Sequence, residues 1–304
     1  MHGGILHVNH IKDQIHCERA YRMGLSGKGI GVAVLDTGIF LHRDFDSRVT
    51  GFADMVNRRN FAYDDCGHGT HICGIIGGSG RMSGGRYSGI APGCNLIMVK
   101  VLDRKGNGYS SDVLAGISWV LERKEQLGIR ILNISVGACS KRGMSENSAL
   151  VKGVNRAWDA GLVVVVAAGN NGPRTMSITT PGISRKVITV GCSDDDREVL
   201  VGGNRMVDYS GRGPTAACIC KPDLVAPGCS VVSCSSRADK YTIKSGTSMS
   251  TPIVSGAVAL LLERFPDMSN KDVKLRLRES SVDIGLPINQ QGWGLLDVGK
   301  MLER

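Results

Sequence analysis

Runs of consecutive apolar residues recur along the chain, and segments with apolar residues at every third or fourth position lie between them. An uninterrupted apolar run is typical of a strand buried on both faces, as in a parallel sheet. Strands that alternate with helices predict an α/β fold, here a doubly wound, mostly parallel sheet flanked by helices. The predicted strands are 30–35, 96–102, 130–136, 162–168 and 186–191, and the predicted helices between them are 11–23, 110–121 and 145–160.

The pattern changes after Gly191 to shorter strands and turns, predicted at 231–234 and 241–245. Three helices then close the chain, predicted at 248–264, 269–280 and about 295–302. A length of 304 residues suits one large α/β domain or two small ones. Because no repeat, low-complexity tract or linker interrupts the chain, we expect a single domain over residues 1–304.

Composition and charge exclude several classes of partner. The chain is 42% hydrophobic and 21% charged, as in ordinary soluble proteins. Its net charge of +9 comes from scattered Lys and Arg, and aromatic residues are only 5%, which disfavours a nucleic-acid surface. No apolar run reaches the ~18 residues of a membrane span. The start of the chain lacks the apolar segment of a signal peptide, so we expect a cytoplasmic protein.

Ten cysteines are dispersed along the chain rather than clustered. In a protein without a secretion signal, we expect reduced thiols used as small buried side chains. Cys218 and Cys220 lack the C-x-x-C spacing of zinc or redox sites, so they indicate a metal site only weakly.

Three polar residues lie where predicted elements begin or end. Asp36 ends the first apolar run, His68 precedes an apolar helical segment, and Ser248 begins the longest helix. Side chains at the carboxyl edge of a parallel sheet meet in one crevice. A serine at a helix N-terminus has unpaired N–H groups beside it for an oxyanion, but it needs a base and an orienting group. The sequence therefore predicts Ser248 as nucleophile, His68 as base and Asp36 as its partner.

The segments around these residues resemble the subtilisin-like serine proteases, or subtilases, of an intracellular type. The resemblance covers about residues 11–302 and implies a three-layer subtilisin-like fold. It also implies a serine endopeptidase of broad specificity that works through an acyl-enzyme on unfolded or extended polypeptide. Asn170 matches the family's oxyanion residue, beside the Ser248 backbone N–H. The matching segments are 34–39 (VLDTGI), 67–71 (GHGTH), 167–172 (AAGNNG), 209–215 (YSGRGPT), 221–228 (KPDLVAPG), 246–252 (GTSMSTP) and 292–297 (GWGLLD).

The same resemblance implies how substrate is held. Two stretches, 105–109 and 135–138, would pair with an extended substrate as added strands, because Gly permits close backbone approach. Thr179 would form a small polar floor of the primary pocket and leave room for a sizeable apolar side chain. The implied substrate-binding residues are Gly106, Gly108, Ser135, Val136, Gly137, Ala138, Ala168, Gly169 and Thr179.

Cofactors and maturation follow from the resemblance too. No cofactor is needed for the chemistry, but a structural calcium ion is implied, with Asp44 fitting one family ligand. The loop 77–89 departs from the calcium-loop pattern, since it is basic and Gly-rich and contains no carboxylate. The family's folding propeptide has no counterpart, so either the protein folds unaided or a longer precursor exists. Polypeptides are the implied partners, and the oligomeric state is left open.

Each candidate residue taken alone has an ordinary structural explanation. Asp36 could cap a turn, Ser248 could be only a helix cap, and Asn170 could be a turn residue. A catalytically inactive subtilase-fold binding protein is therefore the alternative. An α/β-hydrolase esterase is disfavoured by the order Asp, His, Ser and by the lack of G-x-S-x-G, and a metallohydrolase by the lack of H-E-x-x-H. The joint occurrence of all four catalytic positions favours a protease.

Overall fold

The computed structural model describes residues 8–137 and 146–303. Its centre is a seven-stranded parallel sheet, which confirms the fold class predicted from the apolar runs. From one edge to the other, the strands are β2 (Val49–Asp54), β3 (Asn95–Lys100), β1 (Gly31–Asp36), β4 (Ile129–Ile134), β5 (Val163–Ala167), β6 (Ile188–Cys192) and β9 (Leu224–Ala226).

Helices flank this sheet. The third and sixth helices pack on each other and on the sheet, and the fourth packs on the fifth. The first two and the last three are shorter or more peripheral. The helices are α1 (Val8–Gln14), α2 (Glu18–Arg22), α3 (His68–Gly77), α4 (Ser110–Arg123), α5 (Ala149–Asp159), α6 (Thr247–Arg264), α7 (Asn270–Ser280), α8 (Ile288–Gln291) and α9 (Val298–Met301).

Helix α6 lies at the middle of the core and contacts β4, β5 and β6 as well as α3. A helix that is apolar on all sides must be buried on all sides. From residue 247 to residue 262, every residue is buried except Ser248, which is half-buried. The buried helix therefore holds Ser248 at a defined position, with its side chain partly open to solvent.

Two antiparallel hairpins follow the parallel sheet. One joins β10 (Val231–Cys234) to β11 (Tyr241–Lys244), which confirms the short strands predicted there. The other joins β7 (Val199–Val201) to β8 (Asn204–Met206) and was not predicted.

Three further differences from the sequence-based prediction have a clear structural cause. The single helix expected over 11–23 is two helices, α1 and α2, because His16 between them adopts φ 55°, which ends α1. The closing helix is shorter than 295–302, since Leu295 instead forms bridges to Val225 and Val282. Strand β2 was missed because it lies at the sheet edge and most of its residues are only half-buried.

All nine cysteines within the described residues are unpaired thiols, and six of them are buried as predicted. Cys66 is half-buried, whereas Cys218 and Cys220 are exposed, so the expectation of burial is wrong for this pair. In the described part of the chain, we find no helix with the length and apolar character needed to cross a membrane.

Candidate active site

Asp36 and His68 meet at the carboxyl edge of the sheet. Asp36 is the last residue of β1 and is fully buried, and His68 is the first residue of α3. The imidazole Nδ1 lies 2.7 Å from Asp36 Oδ1 and 2.9 Å from Oδ2. Because a carboxylate accepts hydrogen bonds, this contact places the proton on Nδ1 and leaves Nε2 as the basic nitrogen. The ring is 21% exposed, so Nε2 can reach substrate.

Asp64 holds the turn that leads into α3. Its carboxylate accepts hydrogen bonds from Thr37 Oγ1 (2.9 Å), Gly67 N (2.7 Å) and Thr70 Oγ1 (2.6 Å). Thr37 Oγ1 in turn accepts from Gly69 N at 2.9 Å. This network joins the end of β1 to the start of α3 and so fixes the imidazole relative to its carboxylate partner. Sequence reasoning missed Asp64, although an acidic residue just before a helix start is a recognisable signal.

Lys100 supports the same strand end from β3. Its side chain is fully buried, and Nζ donates to Thr37 O (2.6 Å), Leu102 O (2.8 Å) and Asp65 Oδ1 (2.8 Å). A buried ammonium group is stable only when its donors are satisfied. Lys100 therefore ties the loop after β1 to the loop after β3. No sequence pattern indicates this role, because a single lysine at a strand end resembles any other.

Ser248 is the second residue of α6 and follows Gly246, whose φ of 141° is a conformation that favours glycine. The Ser248 hydroxyl donates to the Ser135 carbonyl oxygen at 2.7 Å. Since a hydroxyl has one proton, it is not donated to the imidazole of His68 in this rotamer. Both side chains nevertheless line one cleft of about 540 Å³. Rotation about the Ser248 Cα–Cβ bond is the movement that would redirect the hydroxyl.

Asn170 lines the same cleft. Its Oδ1 accepts hydrogen bonds from Thr247 N and Thr247 Oγ1, both at 3.0 Å, and Thr247 Oγ1 accepts from Gly169 N at 3.2 Å. Because these bonds use the amide oxygen, they orient Nδ2 as the donor group for the cleft. The anchoring residue, Thr247, was not singled out from the sequence, although it stands next to the serine.

A buried polar chain fixes the strand end that carries Ser135. Asn133 is fully buried in β4, and its Nδ2 donates to Ser135 Oγ at 2.9 Å. Ser255 Oγ on α6 donates to Asn133 Oδ1 at 2.8 Å. These bonds couple β4 to α6, the helix that carries Ser248, and so hold the Ser135 carbonyl group close to the Ser248 hydroxyl group.

The predicted substrate-binding stretches come together beside the cleft. Gly106, Gly108, Val136 and Gly137 line one cavity of about 210 Å³, with apolar walls that include Leu102, Leu150 and Pro181. Ala138, predicted to belong to this set, lies outside the described residues.

Thr179 lies against both glycines of the predicted primary pocket. It is buried, and its backbone N–H donates to Ala168 O at 2.8 Å. A β-carbon on either Gly137 or Gly169 would collide with Thr179 Oγ1. The three residues therefore form one tightly packed wall, in which glycine leaves space for the threonine hydroxyl.

The residues around Asp44 do not fit a calcium ion. The carboxylate is fully buried, and its oxygens accept hydrogen bonds from Met82 N (2.9 Å) and Tyr241 Oη (2.6 Å). The side chains that share its site are His42 and Cys234, which offer nitrogen and sulfur. Calcium requires about six to eight oxygen ligands. Protein donors thus occupy the oxygens that the family resemblance assigned to the ion.

Comparison with known proteins gives the family. A model described as the subtilase family matches residues 27–294. The serine protease AprX of Bacillus subtilis (strain 168) is 42% identical, and the match covers 88% of this chain and 64% of that protein. This chain thus spans 64% of the length of AprX. Subtilisin DY of Bacillus licheniformis is 32% identical, with coverage of 93% and 94%.

Solved structures agree with these sequence matches. The structure of Sphericase has a TM-score of 0.75 and 32% identity, and the match covers 90% of this chain and 93% of that one. The similarity confirms the three-layer subtilisin-like fold implied by the motifs. Because the family match covers most of the chain and the structural similarity agrees with it, we conclude that the protein belongs to the subtilase family of serine-type peptidases.

Proposed function

We propose that this protein is a serine endopeptidase that cleaves peptide bonds through an acyl-enzyme on Ser248. The observation that carries the proposal is the bond from His68 Nδ1 to Asp36 at 2.7 Å, at the edge of a cleft that Ser248 and Asn170 also line. A nucleophile, an oriented base and an amide donor in one cleft are the parts that acyl transfer requires.

Each group has one role in the proposed reaction. Ser248 Oγ attacks the carbonyl carbon of the substrate while His68 Nε2 takes the hydroxyl proton. The imidazolium then gives this proton to the leaving amine, and the peptide C–N bond breaks. Water, activated by the same imidazole, hydrolyses the acyl-enzyme and restores Ser248. Asp36 keeps the imidazole in the required tautomer and stabilises the imidazolium.

The oxyanion would be held by Asn170 Nδ2 and the Ser248 backbone N–H. Thr247 anchors the amide oxygen of Asn170 through two hydrogen bonds, so the donor is already oriented before substrate arrives. Donors fixed in advance need no reorganisation when charge develops, which makes them effective in catalysis.

Substrate binding would redirect the Ser248 hydroxyl. In the resting structure it donates to Ser135 O, the backbone acceptor that an added substrate strand would use. A substrate N–H that bonds to Ser135 O competes with the serine hydroxyl and releases it toward His68. Catalytic hydrogen bonds that are absent in the free enzyme commonly form in the substrate complex.

The proposed substrates are extended polypeptides, which the enzyme would cleave with little sequence specificity. The glycines at 106, 108 and 137 border one cavity, where main-chain pairing gives affinity with little sequence preference. We expect native globular proteins to be cleaved more slowly than their unfolded forms, because a folded segment cannot add as a strand. A cytoplasmic location is proposed too, and the nine unpaired thiols of the described residues support a reducing compartment.

The experiment is digestion of casein and of one globular protein in native and unfolded form. We expect cleavage of casein and of the unfolded chain by the wild type, and loss of both with Ser248→Ala in a variant whose circular dichroism is unchanged. Equal cleavage by this variant would contradict the proposed nucleophile. Equal rates on native and unfolded substrate would contradict the extended-strand requirement alone.

A further inference from the structure

A group of two thiols, a carboxylate and a phenol lies directly behind the turn that presents the nucleophile. Cys192 ends β6, and Cys229 precedes β10. Cys192 Sγ lies 3.1 Å from Asp194 Oδ1 and 3.2 Å from Tyr209 Oη, and Tyr209 Oη lies 3.1 Å from Cys229 Sγ. Both cysteines and the tyrosine are fully buried. We call these four residues the thiol cluster.

The candidate ligand atoms of the thiol cluster lie close enough together to share one metal ion after small shifts. The ligand atoms of Cys192, Asp194 and Cys229 all lie within 4.8 Å of one another. Sulfur and oxygen ligands of tetrahedral zinc, at ~2.3 Å and ~2.0 Å from the ion, are about 3.5 Å apart. Shifts of less than about 1 Å would therefore place all three atoms at bonding distance from one zinc ion.

Two buried polar atoms at this place have no hydrogen-bond partner among the described residues. One is Asp194 Oδ2, the second oxygen of the carboxylate in the cluster. The other is Ser250 Oγ. A β-carbon on Gly228 would contact both Ser250 Oγ and Cys192 Sγ, the latter at 2.9 Å. Ser250 Oγ and the thiol of Cys192 therefore both lie beside Gly228. An unpaired buried carboxylate oxygen is costly and calls for a ligand.

The carboxylate is already fixed in place by the backbone. Asp194 Oδ1 accepts hydrogen bonds from Gly228 N at 2.7 Å and Cys229 N at 3.1 Å. These bonds hold the aspartate toward the thiols while Oδ2 stays unpaired. A ligand held by other bonds keeps its geometry, which is how protein metal sites are preorganised.

We propose that Cys192, Cys229 and Asp194 form a binding site for a thiophilic divalent cation of the zinc class, with Tyr209 or a water molecule beside the fourth position. Two sulfurs and one carboxylate oxygen suit zinc and disfavour calcium and magnesium. Gly228 O accepts from Gly246 N at 3.0 Å, and Gly246 is the residue before α6. The site is thus linked through one hydrogen bond to the turn that carries Ser248.

A second cluster in the structure serves as the matched control. His42, Asp44 and Cys234 also lie within ligand distance of one another and are buried. There, however, the two carboxylate oxygens are already bonded to Met82 N and Tyr241 Oη. We therefore expect this second cluster to bind no cation.

The test is titration of fully reduced, chelator-treated protein with Co²⁺, whose thiolate complexes absorb through sulfur-to-metal charge transfer. All variants carry Cys139→Ser, Cys218→Ser and Cys220→Ser, so that Cys139 and the two exposed thiols do not contribute. We expect one Co²⁺ per chain with the absorption of two thiolates, and displacement of this ion by Zn²⁺. The absorption should be lost in Cys192→Ala/Cys229→Ala and retained in Cys234→Ala.

A further variant keeps the proposal testable if the double alanine variant does not fold. Asp194→Asn retains both thiols and the shape of the side chain, and we expect Co²⁺ to bind at least ~10-fold more weakly, since even outer partners of metal ligands contribute about 10–100-fold. The proposal is overturned if reduced protein shows no thiolate–cobalt absorption. It is equally overturned if the absorption persists without Cys192 and Cys229, or disappears with Cys234→Ala.

Discussion

The hydroxyl of Ser248 and the carbonyl oxygen of Ser135 are joined by a hydrogen bond of 2.7 Å. The bond links the start of α6 to the residue after β4, so the proposed nucleophile is bonded to a backbone oxygen that an added substrate strand would use. The base is oriented independently, through the bond from His68 Nδ1 to Asp36. In the proposed mechanism, the base is therefore already oriented in the resting site, whereas the nucleophile is redirected only when substrate binds.

Loss of the Asn170 amide should slow the chemical step more than binding. In Asn170→Leu, we expect kcat to fall by about 10²–10³, which is the range established for loss of this donor in subtilisin itself, while KM changes by less than about threefold. Steady-state kinetics on a chromogenic peptide measures both values. Thr247→Ser is the matched control, because it keeps the hydroxyl that anchors Asn170 Oδ1. A variant in which KM rises and kcat is unchanged would contradict the oxyanion role.

Thr179 should limit the size of the side chain that the primary pocket accepts. It packs against Gly137 and Gly169, so Thr179→Gly leaves a larger space at the same place. We expect kcat/KM to increase about 10-fold or more for peptides with a bulky aromatic residue before the cleaved bond, relative to those with a small one. A peptide-library digest measures the preference. An unchanged preference would show that this wall does not contact the substrate side chain.

His71 should make the protein less stable in acid. Burial, together with the nearby positive charges of Lys244 and His68, lowers the pKa of His71 from 6.5 to about 3. Its Nε2 is bonded to the carbonyl oxygens of Val231 and Thr242. The folded state therefore binds the proton more weakly than the unfolded state. The contribution of neutral His71 to stability is fully present above pH 6.5 and is lost as the pH decreases toward about 3.

The measurement is urea unfolding across this range in an inactive Ser248→Ala background, which prevents self-digestion. His71→Gln keeps a donor for the two carbonyls but does not titrate. Between pH 6.5 and about 3, we expect the unfolding free energy of the parent to fall more steeply than that of His71→Gln, by about 1.4 kcal/mol per pH unit. Parallel curves for the two proteins would show that His71 titrates normally.

Hydrogen bonds rather than calcium should stabilise the site of Asp44. Tyr241→Phe removes the donor to Asp44 Oδ2, and we expect a loss of about 1.5–3 kcal/mol, as for a bond to a charged acceptor. Tyr109→Phe is the control, since Tyr109 is 78% exposed. Thermal unfolding with and without a calcium chelator completes the test. A chelator effect that is present in the wild type and absent in Asp44→Asn would instead establish an ion there.

The sequence predicted those parts of the site that depend on local pattern. An apolar run ending at Asp36, a helix beginning at His68 and a buried helix beginning beside Ser248 are all visible in neighbouring residues, and the structure has each of them. The supporting residues could not be read in this way. Asp64 and Lys100 act through partners that the fold brings close. The position of Asp64 before a helix start hints at a capping role but not at its bond to Thr37, and Lys100 resembles any other lysine at a strand end.

Errors in the fold have similar causes. A helical pattern over 11–23 does not reveal that His16 adopts a positive φ, which tertiary packing imposes. Strand β2 lacks a continuous apolar run because edge strands are covered on fewer sides. The expectation that cysteines are buried failed for Cys218 and Cys220, whose exposure depends on a loop that no periodic pattern describes.

The most direct test of the account is covalent labelling of the folded protein with a fluorophosphonate, followed by intact mass measurement and peptide mapping. We predict one adduct per chain, on Ser248, with labelling slowed by several orders of magnitude in His68→Ala and in Asp36→Asn. Folded protein that gains no adduct at Ser248, or that is labelled there at the same rate without His68, would contradict the proposed mechanism.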